Sequence, residues 1–421
     1  MKVLFITPYI TSSCHPAFLR NQTGFGYMVH DIAQYVAKND DVDVYAPMAF
    51  TPEIKVDSFK IIKRNRWSFL KSLRLYNILD GIAFNHKYKQ PFKMRLRSLY
   101  VFASIGQVES MMKQYDIVHV HGCSELTDAV IKACHRQKVP FLVTLHGLNS
   151  FEQAIKQNEE LRRYERDFLK NSVKMHYPVS FISTGNMKTA ERFIGIKATN
   201  FYVINNGCNI HIKPMTMDIR REYSILANDF VFAFVGNVSI NKNQAQVARA
   251  WLLLPEELRS KCKVLFVGRY IEDDELVKFI RKNHLENSLI LCGVQPKEKV
   301  SNYFHACDAT ILTSITEGFG LSIIEGFVYG KPNVTFADLP ATPDLYDEGV
   351  MLVAENRSDQ ALSQAMVEAM HKTFDSNFIS EYVHNFSFER MAKCYHDLYK
   401  DITNEKYIFN TSVNFYRKIK S

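Results

Sequence analysis

Short, uninterrupted apolar runs alternate with longer segments of helical periodicity along most of the chain. The runs at 3–6 and 141–145 contain no polar position except Thr144, so they do not show the polar–apolar alternation of a half-exposed strand. Each therefore predicts a strand that is covered on both faces, as in a parallel sheet. The same reasoning predicts strands at 42–45, 117–120, 181–183, 202–204, 231–235, 264–267, 288–291, 309–312 and 333–336. Between them lie helical patterns such as 26–37, and this repeated alternation indicates doubly wound α/β architecture.

The alternation stops and restarts once. A turn cluster, Asn-Asn-Gly-Cys-Asn at 205–209, is followed by Pro214 and a charged stretch, after which a new strand series begins. This predicts a first domain over 1–210 and a second over 211–386. The segment 387–421 opens with an amphipathic helical pattern.

Composition narrows the class of protein further. The 421 residues are 47% hydrophobic and 23% charged, which excludes disordered and collagen-like chains and supplies ample core. No apolar run reaches the ~18 residues that span a bilayer, and the first run is too short for a secretory signal. The eight cysteines form no C-x-x-C pair, so reduced thiols in the cytoplasm are expected.

The net charge of +8 is concentrated in one region. Residues 51–100 contain 12 Lys and Arg against three acids, and the apolar and aromatic residues there follow helical spacing. Such basic amphipathic helices favour peripheral contact with an anionic membrane, although two ordinary surface helices would show the same pattern. Nucleic acid is not expected, because no known nucleic-acid-binding module is present. The candidate membrane or acceptor residues, within the basic region at 51–110, are Lys63, Arg64, Arg66, Trp67, Lys71 and Arg74.

A glycine-rich loop precedes a helical pattern at 321–327. It follows a predicted strand, so backbone N–H groups and the positive helix end would meet at the carboxyl edge of a parallel sheet, which is a site for phosphate groups. Glu317 and Glu325 flank this loop. Carboxylates beside a phosphate are unfavourable unless they accept hydrogen bonds from sugar hydroxyls, which favours a sugar nucleotide as ligand. A helix start with two solvated glutamates is the alternative interpretation.

At these residues the chain resembles a known family. The spacing Glu317-x7-Glu325 around Glu-Gly-Phe-Gly-Leu is similar to that of retaining GT-B glycosyltransferases, specifically glycosyltransferase family four, the glycosyl transferases group 1 type. The resemblance continues at 116–122, at 143–147, and at Phe-Val-Gly (234–236) followed by Lys242. It implies two Rossmann-like domains facing across a cleft, with the helix after 387 crossing back to the N-terminal domain.

The resemblance also implies roles for individual residues. Glu317 would hold the donor sugar, Lys242 would neutralise the departing diphosphate, and His146 would lie near the anomeric carbon. Glu325 would hold the ribose. The other donor-binding positions implied are Gly24, Asn237, Arg269, Gly293, Val294, Gly318, Phe319, Gly320, Leu321 and Ser322.

The chain departs from the family pattern in more than one place. The family usually has an arginine directly after the glycine of the first phosphate loop, whereas Asn237 follows Gly236 here. Arg269 is the candidate substitute for that cation. The Thr-Gly-Phe-Gly sequence at 23–26 likewise stands where the family usually has a Gly-Gly pair.

Two further patterns suggest metal ligands. Asp41 and Asp43 match a three-residue metal motif of another glycosyltransferase fold, and His119, His121 and Cys123 alternate on one strand. Neither pattern has an apparent complete ligand set, so no metal and no cofactor beyond the nucleotide-sugar co-substrate is expected.

The resulting hypothesis is a hexosyltransferase-type enzyme that is retaining and metal-independent. Its expected partners are a nucleotide-diphosphate sugar, with UDP as the expected nucleotide, and a lipid-linked or polysaccharide acceptor at the cytosolic membrane face. Two alternatives stay open: a non-catalytic sugar-nucleotide-binding partner subunit, and a soluble synthase of a small glycoside.

Overall fold

The computed structural model describes residues 1–19, 23–56, 58–148, 159–404, 408–410 and 415–417, with the side chains of 159–161 and of the last two segments excepted. Within these residues the chain divides into two compact units. The first unit comprises the chain up to Gly207 together with the chain from Phe388 onward, and the second comprises Cys208–Ser387.

The first unit is built on an eight-stranded sheet. Its order is β3-β4-β2-β1-β5-β6-β7-β8, and all neighbours are parallel except β3 and β4. Its strands are β1 (Lys2–Ile6), β2 (Asp41–Tyr45), β3 (Ile54–Val56), β4 (Phe59–Ile61), β5 (Ile117–His121), β6 (Phe141–Leu145), β7 (Val179–Phe181) and β8 (Phe201–Val203). Its helices are α1 (Gly24–Val36), α2 (Arg66–Lys71), α3 (Leu75–Lys87), α4 (Phe92–Glu109), α5 (Glu125–Gln137), α6 (Glu159–Met175) and α7 (Thr184–Ile194), with 3-10 turns at Pro16–Leu19 and Met112–Gln114.

The second unit is built on a six-stranded sheet in which all neighbours are parallel. Its order is β11-β10-β9-β12-β13-β14. The helices and strands, in chain order, are α8 (Ile219–Glu222), β9 (Phe230–Val235), α9 (Gln244–Leu252), α10 (Glu256–Arg259), β10 (Cys262–Val267), α11 (Glu275–Lys282), β11 (Leu289–Gly293), α12 (Val300–Ala306), β12 (Ala309–Ile311), α13 (Leu321–Val328), β13 (Asn333–Phe336), α14 (Thr342–Leu345), β14 (Met351–Ala354), α15 (Asp359–His371), α16 (Ser376–Tyr382) and a 3-10 turn at Val383–Phe386.

The last helix, α17 (Phe388–Asn404), belongs to the first unit and packs against α1. The Tyr35 and Phe388 rings stack with centroids 4.5 Å apart, and Tyr399 reaches His119 in the sheet. A short antiparallel pair, β15 (Ile408–Asn410) and β16 (Phe415–Arg417), follows. The buried, amphipathic character of the pattern after 387 accounts for this packing, since Tyr395 and Tyr399 are fully buried.

The predicted doubly wound α/β architecture is confirmed for both units. Their central strands are apolar and buried along most of their length; β6 and β9 are examples. In each sheet the strand order reverses beside the first strand. Early strands are added on one side of β1 or β9, and later strands on the other side, starting with β5 or β12. Ligands of such sheets bind at the carboxyl ends of the strands beside this reversal.

Several predicted element bounds were wrong. The strand predicted at 181–183 is β7, which ends at Phe181, because Ser183 instead caps α7 by accepting a hydrogen bond from the Asn186 N–H at 3.3 Å. The helical spacing predicted within 51–100 is divided among three helices, α2, α3 and α4. The strands β3, β4 and β14 were not predicted, because they are short and, for β3 and β4, lie in the highly charged region.

No helix among the described residues is both long and apolar enough to cross a bilayer.

Candidate functional site

In the second unit, two loops converge at the reversal point of the sheet. Lys242 follows β9 and Glu317 follows β12, and Lys242 Nζ lies 2.5 Å from Glu317 Oε2. The same carboxylate accepts hydrogen bonds from Ser314 Oγ at 3.2 Å and from the Gly318 N–H at 3.3 Å. Both charged side chains are partly exposed, 27% for Lys242 and 17% for Glu317. The pair is therefore oriented by the protein yet accessible to a ligand.

The loop that carries Lys242 is fixed to the loop before Glu317 by Asn241. The Asn241 side-chain amide donates to Thr316 O at 3.0 Å, and Asn241 Oδ1 accepts from the Thr316 N–H at 3.1 Å. The Ile315 N–H donates to Asn241 O at 2.7 Å. Sequence reasoning missed Asn241, whose only signal was its place directly before Lys242.

A second residue that the sequence did not indicate, Arg357, supports the same loop from the other side. Its guanidinium donates to Ser314 O at 2.9 Å and to Asp338 Oδ2 at 2.7 Å. An arginine in a loop after β14 carries no motif, so this role could be found only in the structure.

Asn237 and Arg269 lie in the loops after β9 and β10, and these loops touch closely. A Cβ on Gly268 would lie only 2.4 Å from Gly236 O, so glycine is required at this approach. Asn237 Oδ1 accepts the Arg269 N–H at 2.9 Å, and the Val238 N–H donates to Arg269 O at 2.8 Å. The Asn237 side chain thus joins two loops, and the Arg269 side chain beside it is exposed. A cationic role for Arg269 stays a prediction.

The glycine-rich loop ends at the N-terminus of α13. Gly320 is the N-cap residue with φ of +80°, and since it has no side chain, the first amides of α13 receive no side-chain cap within the described chain. Leu321 and Ser322 form the first helical positions and are half-buried. Phe319 is 2% exposed and packs on Phe386, so only its backbone is available to a ligand.

Glu325 lies one turn into α13 and is half-buried. Burial raises the pKa of its carboxyl above the ordinary value, while the charges of Lys297 and Lys213 oppose that shift. Gly293 ends β11 with φ of +69°, and the neighbouring Val294 is 70% exposed. These residues belong to the same unit as Lys242 and Glu317.

In the first unit, His146 follows β6 and pairs with His121 at the end of β5. His121 Nδ1 lies 3.0 Å from His146 Nε2, and the Phe25 ring meets the His146 ring edge-on at 5.0 Å. Gly24, in the first turn of α1 beside Phe25, has open space around its Cα. The structure therefore brings the predicted residues Gly24 and His146 to the same edge of the first sheet.

Burial makes these imidazoles neutral. It lowers the pKa of His146 to about 4, and that of His121 also falls well below the usual range, mainly through burial. His121 Nε2 is buried without a hydrogen-bond partner among the described residues. An unpaired acceptor costs less than an unpaired N–H, which favours His121 donating from Nδ1 and His146 keeping its proton on Nδ1. Sequence reasoning missed His121 as the partner of His146.

The patterns that suggested metal ligands have other partners. Both ring nitrogens of His119 are engaged at 2.6 Å, one with Tyr399 OH and the other with Thr144 Oγ1. Asp43 accepts from Tyr115 OH at 2.6 Å. Within the described ranges, no group of three or more potential ligand side chains is placed to hold a metal ion.

The basic region is only partly a surface. Lys63, Arg66, Trp67 and Lys71 are exposed, and Arg74 is half-buried. Arg64 is 1% exposed, so the prediction that it lies on an exposed surface with the other five residues was wrong. Its guanidinium is enclosed by hydroxyl groups and aromatic rings instead.

Two family models match the chain, one in each unit. The Glycosyltransferase Family 4 model matches residues 23–211, and the Glycosyl transferases group 1 model matches residues 216–385. Together they cover most of the chain.

Individual proteins are similar at lower identity. TuaC of Bacillus subtilis (strain 168), a glycosyltransferase assigned to teichuronic acid biosynthesis, is 23% identical over 420 residues, covering 96% of this chain and 99% of TuaC. The O-antigen chain mannosyltransferase B of Escherichia coli is 21% identical over 234 residues, covering 54% of this chain and 61% of that protein. This second match thus spans about three fifths of the relative.

A solved structure shares the fold over nearly the whole chain. Anabaena HepE, in complex with UDP and glucose, superposes with a TM-score of 0.65 at 19% identity, covering 95% of this chain and all of HepE. At this identity the likeness establishes the fold alone, and with the two family models it confirms the resemblance seen in the sequence motifs. The chain therefore belongs to the glycosyl transferases group 1, or family-four, glycosyltransferases and has the GT-B fold.

Proposed function

We propose that this protein is a retaining, metal-independent hexosyltransferase that uses a nucleotide-diphosphate sugar, with UDP as the expected nucleotide. Its proposed acceptor is lipid-linked or a polysaccharide, at the cytosolic face of the membrane. The observation that carries the donor half of this proposal is the Lys242–Glu317 pair beside the uncapped start of α13. The nucleotide sugar is a co-substrate, and no separate cofactor is proposed.

Lys242 is suited to the departing diphosphate. Its ammonium pairs with Glu317, three residues before the N-cap residue of α13, and a cation and a helix N-terminus both favour negative charge. Charge develops on the diphosphate as the glycosidic bond breaks, so a fixed cation stabilises the transition state more than the ground state. Lys242 would exchange its bond to Glu317 for one to the diphosphate when the donor binds.

Glu317 would then have a carboxylate free to accept hydrogen bonds from donor sugar hydroxyls. Ser314 Oγ and the Gly318 N–H keep the carboxylate oriented during that exchange. Its negative charge also favours an oxocarbenium-like transition state. Glu325, whose carboxyl is partly desolvated, is proposed to accept hydrogen bonds from the ribose.

In the first unit, His146 and Gly24 are the proposed contributors. His146 is neutral and braced by His121, so it can donate a hydrogen bond to a sugar hydroxyl without bringing charge to the anomeric centre. Gly24 leaves space for a phosphate or sugar close to the backbone.

The comparisons support the substrate classes without fixing them. The names of TuaC and of the O-antigen mannosyltransferase associate those proteins with surface polysaccharides, and HepE was solved with UDP and glucose. This agreement favours glycan chemistry with a UDP-sugar for the present chain.

A donor screen tests the enzymatic proposal. The purified protein is incubated with UDP-, GDP- and ADP-sugars, and nucleotide release is measured with and without EDTA. We expect nucleotide release from one class of UDP-sugar, and the same rate of release in the presence of EDTA. NMR of the transfer product should show the same anomeric configuration as the donor. Binding without turnover toward any acceptor would favour the non-catalytic subunit. Loss of turnover in EDTA with rescue by Mg²⁺ would contradict metal independence.

Exposed apolar side chains among the basic residues support peripheral membrane contact. Trp67 is 73% exposed, Leu75 71% and Phe92 75%, although all three lie on helices that pack on the first unit. Apolar side chains flanked by exposed Lys63, Arg66 and Lys71 suit an anionic bilayer surface. Each such cation near the surface contributes ~1 kcal/mol, and salt screens this attraction.

Trp67 provides a direct test. The chain has only two tryptophans, and the other, Trp251, is buried with its indole N–H bonded to Cys262 O. Vesicles rich in anionic lipid should shift the emission of Trp67 to shorter wavelength at low salt, and the shift should disappear near 1 M salt.

Two variants that each remove three positive charges show whether vesicle binding depends on the basic region or only on the net charge of the protein. Replacing Lys63, Arg66 and Lys71 with serine should abolish the shift, whereas replacing Lys278, Arg281 and Lys282 on α11 should not. Failure of the parent protein to respond to anionic vesicles at low salt would favour the soluble glycoside synthase.

A further inference from the structure

Arg64 is buried in the first unit without a charged partner. It follows β4, is 1% exposed and pairs through its backbone with Thr51. Its guanidinium carbon lies 5.0 Å from the centroid of the Phe50 ring and 5.6 Å from that of Phe69. Among the residues described, no carboxylate forms an ion pair with it.

The hydroxyl groups around Arg64 are oriented to receive its N–H groups. Arg64 Nη1 donates to Tyr45 OH at 2.8 Å, and Nη2 donates to Tyr100 OH at 2.7 Å and to Ser104 Oγ at 2.9 Å. Each hydroxyl places its own proton on a carbonyl: Tyr45 on Ser104 O, Tyr100 on Pro47 O and Ser104 on Tyr100 O. These contacts hold the cation in place but do not neutralise it.

One N–H of Arg64 is left over. The Nε atom is buried and has no hydrogen-bond partner within the described chain. A buried charge is costly unless an opposite charge compensates it, and an unpaired buried N–H adds to that cost. An anion beside Arg64 would therefore compensate its buried charge and accept the Nε–H.

A cavity of about 380 Å³ lies at the carboxyl ends of β1 and β2 and shares one residue, Phe50, with this cluster. The residues lining it are Tyr9, Ile10, His15, Pro16, Ala17, Phe18, Met48, Ala49 and Phe50. Phe50 is common to both features, since its ring lines the cavity and covers the guanidinium. Most of the lining is apolar, which suits a ligand with a hydrocarbon part.

The loop that carries Phe50 is held at both ends, and two of its apolar side chains are exposed between them. Pro47 O accepts from Tyr100 OH at 3.2 Å, and Thr51 exchanges two backbone hydrogen bonds with Arg64. Between these anchors, Met48 is 43% exposed and Phe50 45%. Phe50 is therefore only partly enclosed by the protein.

We propose that this cavity binds the phosphate ester of a lipid-linked acceptor, with Arg64 as its buried counter-charge and Phe50 as the side chain that turns to admit it. The inference rests on the proposed function and deepens it by naming the chemistry of the acceptor. The apolar lining receives the first part of the hydrocarbon chain, and the phosphate supplies the missing negative charge.

Calorimetric titration with a matched pair of small probes tests this. Decyl phosphate and decyl glucoside share a chain length and differ in charge. We expect decyl phosphate to bind at least tenfold more tightly than decyl glucoside, and at least tenfold more tightly than inorganic phosphate. Comparable binding of inorganic phosphate would overturn the lipid ester in favour of a free phosphate, and equal binding of the two decyl probes would overturn the anion site.

Variants assign the effect to Arg64. Arg64→Met, shown to be folded by urea unfolding, should reduce the preference for decyl phosphate to about twofold or less, whereas Arg221→Met, at an exposed arginine of the second unit, should keep it. If Arg64→Met does not fold, Phe50→Ala gives the test, because uncovering the guanidinium should raise the preference at least threefold. An unchanged preference in a folded Arg64→Met, or in Phe50→Ala, contradicts the proposal.

Failure of this inference is distinguishable from failure of the proposed function. Binding of decyl phosphate needs no nucleotide sugar, and donor hydrolysis by the parent protein needs no acceptor. A parent protein that prefers decyl phosphate but hydrolyses none of the UDP-, GDP- and ADP-sugars contradicts the enzymatic proposal and supports the anion site.

Discussion

The second unit places opposite charges at the reversal point of its sheet, with Lys242 after β9 and Glu317 after β12 joined at 2.5 Å. The first unit has the same reversal, between β1 and β5, but the groups near it are the neutral rings of His121 and His146. The sheets are alike in connection and differ in the charge at their carboxyl edges.

That difference separates two kinds of chemistry. A charged pair with partial exposure can exchange partners when a charged ligand arrives, at small cost, because solvent already reaches both groups. Neutral rings in a buried setting can donate or accept single hydrogen bonds, but they resist becoming charged. The second edge is thus suited to a diphosphate and the first to uncharged hydroxyl groups.

The largest effect is expected from Glu317→Gln. The amide keeps the shape of the side chain but loses the charge that pairs with Lys242 and favours a cationic transition state. We expect kcat for sugar transfer to fall by ~10³-fold, the upper range for loss of one preorganised electrostatic group. Steady-state kinetics with the identified donor measures this.

Glu286→Gln is the matched control, because Glu286 is an exposed acid of the same unit. It should leave kcat unchanged. A Glu317→Gln enzyme with the parent kcat would remove Glu317 from the catalytic residues.

Lys242→Ala should have the next largest effect. We expect kcat/KM to fall by ~10²-fold, about 3 kcal/mol, because one fixed cation facing the diphosphate is lost. Lys278→Ala, which breaks an exposed pair with Asp273, serves as control and should have no effect. Equal rates for Lys242→Ala and the parent would assign the charge to another cation, with Arg269 the first to test.

The neutral edge predicts a pH effect in the first unit. Burial lowers the pKa of His146 to about 4 and the pKa values of His119 and His121 well below their usual range, against about 6.5 when unfolded. The unfolded chain therefore binds more protons below about pH 6.5, and stability falls with falling pH, by about 2 kcal/mol for His146 at pH 5. For His146 the loss levels off below about pH 4.

At the carboxyl edge of the second sheet, the pH dependence of stability should have the opposite sign. Burial raises the pKa of Glu325, so the folded state holds that proton more tightly and gains relative stability as pH falls. Hydrogen exchange followed by mass spectrometry at pH 7 and pH 5 resolves the units. Faster opening at pH 5 confined to the first unit is expected, and equal acceleration in both would contradict the assignment to the buried histidines.

Much of this arrangement could be predicted from local sequence. Buried strands are recognisable as apolar runs; the loops after two of them carry Lys242 and Glu317, and the helix that follows the second loop carries Glu325. Partners across loops could not be predicted, because the polar bonds of Asn241 and Arg357 depend on which loops meet in space.

The basic region shows most clearly which features could not be predicted from the sequence. Counting charges cannot tell which arginine of Lys-Arg-Asn-Arg is inside. Arg64 is inside because it lies two residues after buried Ile62, on the same side of an extended segment, and opposite Thr51. The pattern of β4 could not have shown this, because its buried residues Phe59 and Ile61 have the opposite parity to Arg64.

The smallest effect is expected at Asn237, where the family usually has an arginine. The Asn237 side chain accepts one backbone N–H, that of Arg269 at 2.9 Å, and so holds two loops together without facing the developing charge. Asn237→Ala should therefore raise the donor KM by ~5-fold, the value of about one neutral hydrogen bond, and leave kcat within twofold. Asn283→Ala is the control, because its amide donates to Phe279 O at the exposed end of α11 and should not alter donor kinetics. A loss of kcat in Asn237→Ala as large as that in Lys242→Ala would mean that Asn237 acts on the diphosphate itself, and the charged edge would then need both residues rather than one.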